Sequence, residues 1–169
     1  MEFADGLMAQ LTNLGGEVTY GKVISAQKTE NGFEVGTEDG EKYEGKNLII
    51  ASGAAHRHLG IEREQELIGR GVSYCAVCDG PFFKEKTAAV VGGGSAALQD
   101  ALYLAGICSK VYLIHRRDTF RAEKSLIDQV MAAKNIECVM ESRVTALIGE
   151  KKLTELEVTN LAGEKRTLL

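Results

Sequence analysis

Gly92-Gly93-Gly94 stands between an apolar run, Thr87-Ala88-Ala89-Val90-Val91, and a segment in which Leu98, Ala101, Leu102 and Ala105 recur at helical spacing. A short apolar run bounded by turn residues reads as a buried strand, and the 3.6-residue period reads as a helix. The pattern then repeats: a strand over 110–115, a helix over 123–134 with Leu126, Ile127, Val130 and Met131 as its stripe, and a strand over 136–140. Such β-α-β-α-β alternation predicts a parallel sheet with helices on both faces. Alternating residues over 143–148 and 153–158 predict an antiparallel hairpin, and the chain ends within a further strand, so an antiparallel β-meander follows the parallel sheet.

The glycine turn carries chemistry as well as fold. Gly92-Gly93-Gly94-Ser95-Ala96-Ala97 fits G-x-G-x-x-G/A, between a strand and a helix, which is the context that the motif requires. Gly92 permits the turn, Gly94 lets a pyrophosphate approach the backbone, and Ala97 lets helix and strand pack closely. The helix N-terminus, from Ser95 and Ala96, offers free N–H groups and partial positive charge to phosphates. The expected fold is therefore α/β and Rossmann-like, and the expected ligand is a dinucleotide. About 20 residues on, an NAD site carries an acidic residue for the ribose 2′-hydroxyl. Here that place holds His115-Arg116-Arg117, with Arg121 close behind and Asp118 as the nearest carboxylate. Guanidinium groups bind a 2′-phosphate through charge-assisted, often bidentate hydrogen bonds, so the pocket is expected to take NADP(H).

The first third of the chain has a different texture. Residues 1–60 hold 5 basic and 9 acidic residues, and residues 61–169 hold 15 of each, so a domain boundary is placed near residue 60 with a linker or hinge within 56–71. A helix is expected through Leu7, Met8, Leu11 and Leu14, stopped by Gly15-Gly16. β-like runs follow at 18–24, 33–37, Tyr43 and 47–52, with Asn31-Gly32 and Asp39-Gly40 as hairpin turns and Leu48-Ile49-Ile50-Ala51 as a buried strand. The net charge of -4 argues against a chain built to coat nucleic acid. No apolar stretch approaches the ~20 residues of a membrane helix, and no secretory signal opens the sequence, so a cytoplasmic protein is expected.

Four cysteines in such a chain point to redox, metal or core roles. Cys75-Ala76-Val77-Cys78 can close and reopen a small disulfide, and a Cys at a helix start has a raised thiolate fraction. A leaving thiolate needs a proton, and Asp79 is the nearest carrier in sequence. A structural zinc site would need two more ligands; Cys108 and Cys138 stand alone on apolar elements, and His56, His58 and His115 lack ligand spacing. No metal is expected, and Cys108 and Cys138 read as core residues.

Three motifs in order, Gly71-Val72-Ser73-Tyr74-Cys75-Ala76-Val77-Cys78-Asp79-Gly80, then Val90-Val91-Gly92-Gly93-Gly94, then His115-Arg116-Arg117-Asp118 with Phe120-Arg121-Ala122-Glu123, resemble the low-molecular-weight bacterial thioredoxin reductases. Residues 48–53 with Arg57 and Leu59 resemble the edge of that family's FAD domain, with Ser52 in place of its threonine before Gly53. The resemblance implies electron flow from NADPH through FAD to the Cys75–Cys78 disulfide and on to thioredoxin or a thioredoxin-like protein. It implies that Cys75 attacks the thioredoxin disulfide, that Cys78 faces the flavin, that Asp79 is the acid, and that Ser52 and Gly53 border FAD. It also implies a homodimeric parent nearly twice as long, opening with a flavin glycine loop that has no counterpart here. The sequence thus reads as an internal piece: residues 1–60 from a β-rich FAD-binding portion and 61–169 as the NADPH-binding domain, its last strand missing and its activity incomplete alone. Ser95 departs from the family's usual Asn or Asp. Two alternatives stand beside this reading: an inactive NADP(H)-binding fragment, and a relative of the alkyl hydroperoxide reductase flavoprotein, which residues 79–84 also resemble.

Overall fold

A computed structural model describes residues 2–169, which divide into two compact units, one ending at Ala54 and the other running from Ala55 to Leu169.

In the first unit, α1 (Glu2–Asn13) ends where Gly15 adopts φ +80° and the Gly16 N–H reaches back to the Leu11 carbonyl at 2.9 Å. This left-handed closure is glycine's usual role at a helix end. Strands β1 (Val23–Thr29), β2 (Gly32–Thr37) and β3 (Lys42–Gly45) form an antiparallel meander in that order. Thr29 pairs with Gly32, so a tight turn at Glu30-Asn31 sets the register and carries β1 further along the chain than the expected 18–24. Gly32 is required there, because a Cβ would lie 2.9 Å from the Lys46 Cα. The buried strand expected at 48–51 is not present. Ile49 and Ile50 are 89% and 75% exposed, and no described strand pairs with this run. An apolar run becomes a buried strand only beside a partner strand and beneath a covering face.

In the second unit, β4 (Thr87–Val91), β5 (Lys110–Ile114) and β6 (Ile136–Val139) form a parallel sheet in the order β4-β5-β6. Helix α3 (Ser95–Ala105) links β4 to β5, and α4 (Lys124–Ala132) links β5 to β6. The α/β Rossmann-like class and the antiparallel meander are as expected, and the arrangement differs in one particular. Side chains of both helices, Leu98, Ala101, Leu104 and Val130, share one core with Val111 and Leu113 of β5. Both helices therefore lie on one face, because right-handed crossovers between strands laid down in one direction put successive helices on the same side. The opposite face is covered by the meander β7 (Ser142–Ile148), β8 (Glu155–Asn160) and β9 (Lys165–Leu168), where Val144, Leu147, Leu156, Val158 and Leu168 pack on Ile114. Met131, expected in the α4 stripe, is 67% exposed.

The stretch expected as a linker, 56–71, is mostly exposed but is anchored to this unit at a few positions. Leu67 is fully buried in the meander core with Ile61 and Val72 against it, and the Leu153 N–H donates to the Arg70 carbonyl at 2.8 Å. Among the described residues, no helix is long and apolar enough to cross a membrane.

Candidate active site

Cys75 and Cys78 are joined as a disulfide, with Cα atoms 5.2 Å apart. Cys75 caps the one-turn helix α2 (Ala76–Asp79), and its sulfur accepts the Cys78 N–H at 3.2 Å. Cys78 is exposed and Cys75 half-buried. Gly80 fits closely under α3, where a Cβ would meet Leu104 at 3.0 Å and Tyr103 at 3.2 Å. That packing holds α2 against the helical face of the sheet.

Ser73 links the pair to Asp79. Its hydroxyl donates to Asp79 Oδ2 at 2.5 Å, and its oxygen accepts the Cys75 N–H at 3.0 Å. The Asp79 N–H in turn donates to the Cys75 carbonyl at 3.1 Å. A groove of about 840 Å³ opens beside these residues, lined by Cys75, Asp79, Asp100, Leu104 and Leu153 among others. Burial pushes the Asp100 carboxyl above its ordinary range.

The residue before the pair is tied down as well. The Tyr74 hydroxyl donates to Glu64 Oε1 at 2.6 Å, its ring stacks on His56 at 3.6 Å, and His58 Nδ1 lies 2.8 Å from its oxygen. Glu64, 3% exposed, also accepts the N–H groups of Leu59 and Gly60, both at 2.8 Å. Burial works to raise the Glu64 carboxyl; the Tyr74 hydroxyl and the two backbone donors outweigh it and hold the group below its ordinary range. Burial, with the Glu64 hydrogen bond, pushes the Tyr74 phenol up to about 12.

At the glycine turn each residue has its own constraint. Gly92 adopts φ +156°, and a Cβ there would stand 2.6 Å from the Ala97 Cβ. A Cβ on Gly93 would collide with the His115 ring. Gly94 has open space around it and caps α3 with no side chain of its own, so the first amides of α3, from Ser95 and Ala96, face a position that a ligand can reach. His115 is 9% exposed, with Nε2 3.0 Å from the Thr119 carbonyl, so that nitrogen carries the proton. Its ring supports the turn from beneath. Arg116 and Arg121 are exposed and Arg117 half-buried, and none of the three is in an ion pair among the described residues. The arginine loop is brought to the turn by a bridge between Gly94 and Arg121.

Cys108 and Cys138 lie in or against the helical-side core, and burial pushes both thiols up. Ser52 and Gly53 are exposed in the first unit, Gly53 at φ +71° with open space around it. Sequence reasoning missed Ser73, Tyr74 and Glu64. A serine just before a short helix is a known backbone-bonding position and could have flagged Ser73; nothing local links Glu64 to Tyr74.

One parallel α/β unit thus carries a glycine turn of the G-x-G-x-x-A form between β4 and α3 and a Cys-x-x-Cys disulfide at the short helix α2, the combination of a disulfide oxidoreductase fold. The model for the pyridine nucleotide-disulphide oxidoreductase family matches residues 5–168, and the chain belongs to that family. A thioredoxin reductase of Treponema pallidum is 38% identical over 99% of this chain and 54% of its own length. One from Streptomyces clavuligerus is 38% identical over 99% of this chain and 52% of its own. The crystal structure of Lactococcus lactis thioredoxin reductase superposes with a TM-score of 0.73 at 35% identity, covering 99% of this chain and 55% of that one. The solved structure of thioredoxin reductase from Giardia duodenalis gives 0.79 at 36% identity, with the same coverage. The chain spans about half the length of these relatives.

Proposed function

We propose that this chain carries the nucleotide and disulfide centres of an NADPH-dependent thioredoxin-disulfide reductase. The observation that carries the reading is the Cys75–Cys78 disulfide beside Asp79 in the same unit as a glycine turn flanked by three arginines that form no ion pair among the described residues. The pyrophosphate of NADPH lies against Gly92, Gly93 and Gly94 and the amides of Ser95 and Ala96 at the α3 N-terminus. Arg116, Arg117 and Arg121 take the 2′-phosphate, and His115 holds the turn in shape. The open space at Gly94 and the uncapped helix end fit a phosphate group.

FAD, when bound, supplies the two-electron relay between nicotinamide and disulfide. Ser52 and Gly53 border it in this proposal. No second glycine turn opening a helix occurs among the described residues, so the flavin's pyrophosphate is not fitted by the residues described. The chain's own residues act at the sulfur end. Asp79 protonates a leaving sulfur, and the reduced pair passes two electrons to thioredoxin, with Cys75 attacking its disulfide. Residues 1–60 belong to the flavin half and 61–169 to the nicotinamide half of a cytoplasmic homodimer.

Two measurements test this. The chain, reduced with dithiothreitol and desalted, is mixed with oxidised thioredoxin; two thiols should appear on thioredoxin per chain, and none with Cys75→Ser. Titration with NADPH and NADH should favour NADPH. Nucleotide binding with no transfer to thioredoxin would reduce the reading to a nucleotide-binding module.

A further inference from the structure

Ser73 belongs to neither centre in any reading of the sequence, yet it makes the only side-chain hydrogen bond that Asp79 has among the described residues. Its hydroxyl has one proton and two acceptors in reach, Asp79 Oδ2 at 2.5 Å and the Cys75 carbonyl at 3.3 Å, and the carboxyl oxygen is the nearer. The same oxygen accepts the Cys75 N–H at 3.0 Å. One atom therefore fixes the carboxylate and the backbone of the first cysteine relative to each other. We infer that Ser73 is a positioning residue for proton delivery, holding the Asp79 carboxyl where it meets the sulfur that leaves when the Cys75–Cys78 bond breaks. The inference rests on the acid role proposed for Asp79.

The reaction can be followed on this chain without flavin, with dithiothreitol as reductant. A dithiothreitol thiolate attacks one sulfur of the pair, forming a mixed disulfide and breaking the Cys75–Cys78 bond. The other sulfur leaves as a thiolate and takes a proton from the protonated Asp79 carboxyl, which then recovers one from water. The second dithiothreitol thiolate then closes on the first sulfur of the reductant, releasing the remaining cysteine thiolate, which water protonates. The reductant loses two electrons as a cyclic disulfide, and the pair gains them. Orientation matters because a carboxyl free to rotate spends part of its time out of reach of the sulfur.

The experiment measures the rate of this reduction from pH 5 to 8 for the wild type, Ser73→Ala, Ser73→Thr, Asp79→Asn and the Ser73→Ala/Asp79→Asn pair. The thiolate fraction of dithiothreitol is common to all, so differences between profiles belong to the protein. Ser73→Ala should be slower by about tenfold, the scale of one hydrogen bond to a charged group, with its profile shifted toward that of Asp79→Asn. Ser73→Thr, which keeps the hydroxyl, should retain the wild-type profile. In the Asp79→Asn background Ser73→Ala should cost nothing further. The inference is overturned if Ser73→Ala keeps the wild-type rate and profile, if Ser73→Thr is as slow as Ser73→Ala, or if the loss persists in the Asp79→Asn background. A silent Asp79→Asn would instead remove the acid role itself, and the Ser73 inference with it. Circular dichroism of each variant separates these outcomes from unfolding, and a Ser73→Ala that loses structure while Ser73→Thr keeps it and the wild-type rate leaves the rescue as the deciding result.

Discussion

The Arg121 backbone N–H donates to the Gly93 carbonyl at 2.6 Å, so the loop that carries the arginines is fastened to the turn that carries the glycines. The two segments are far apart in sequence and meet because β4 and β5 end together, Val91 pairing with Ile114. Charge and amide donors are thereby set at one end of a parallel sheet, where open α/β sheets bind ligands.

The three glycines can be told apart by substitution. Gly93→Ala places a methyl into the His115 ring and should lower stability by about 1–3 kcal/mol, the cost of overpacking a filled site, seen as an earlier urea midpoint. Gly94→Ala has open space and an ordinary φ of -99°, so the midpoint should hold while NADPH affinity drops at least several-fold in a fluorescence titration. A Gly94→Ala protein that binds NADPH as the wild type does would remove the pyrophosphate from that position.

Replacing Arg116 and Arg117 by Gln should weaken NADPH binding by about tenfold or more per contact, at about 1.5–3 kcal/mol for each charged hydrogen bond. NADH binding should not change. Isothermal titration at low and high salt should show the NADPH preference shrinking with salt in the wild type, since exposed charges are screened. Equal affinity for both nucleotides in the wild type would refute the 2′-phosphate assignment.

Glu64 should make stability depend on acid. Its carboxyl lies below the unfolded value of 4.5, so its contribution is present above that pH and is lost as pH falls through the lower folded value. Glu64→Gln should therefore destabilise the chain near neutrality, and the gap to the wild type should narrow as pH falls below 4.5. Urea denaturation of both proteins from pH 3 to 7 reads this directly. A gap that stays constant over the range would mean that the charge is not what matters.

Tyr74 gives the complementary signal at high pH. Its phenol is raised from 10.0 to about 12, so the folded state favours the neutral form. Stability from this group is complete below pH 10 and falls as pH rises toward 12. An ultraviolet titration should find a late-ionising tyrosine step near pH 12, and Tyr74→Phe should abolish it.

Much of the second unit was legible in the chain itself. Strand β5, helix α3 and the turn between β4 and α3 announce themselves because period and glycine spacing are local properties, set by neighbours within a few residues. The Cys pair and the arginine run are equally local. Other features depend on what lies opposite. Leu48-Ile49-Ile50-Ala51 has the composition of a buried strand and no partner among the described strands, and composition cannot supply one. Leu67 sits in a stretch polar enough to read as a linker, yet it is fully buried because the β7–β9 meander presents an apolar face to it. That both helices share one face follows from strand order, a property of the whole sheet. Ser73 reaching Asp79, and Tyr74 reaching Glu64, are hydrogen bonds whose geometry arises only after α2 and the 59–72 segment have packed. Local periodicity wrote the elements into the sequence; long-range pairing and packing chose which side chains meet at the site.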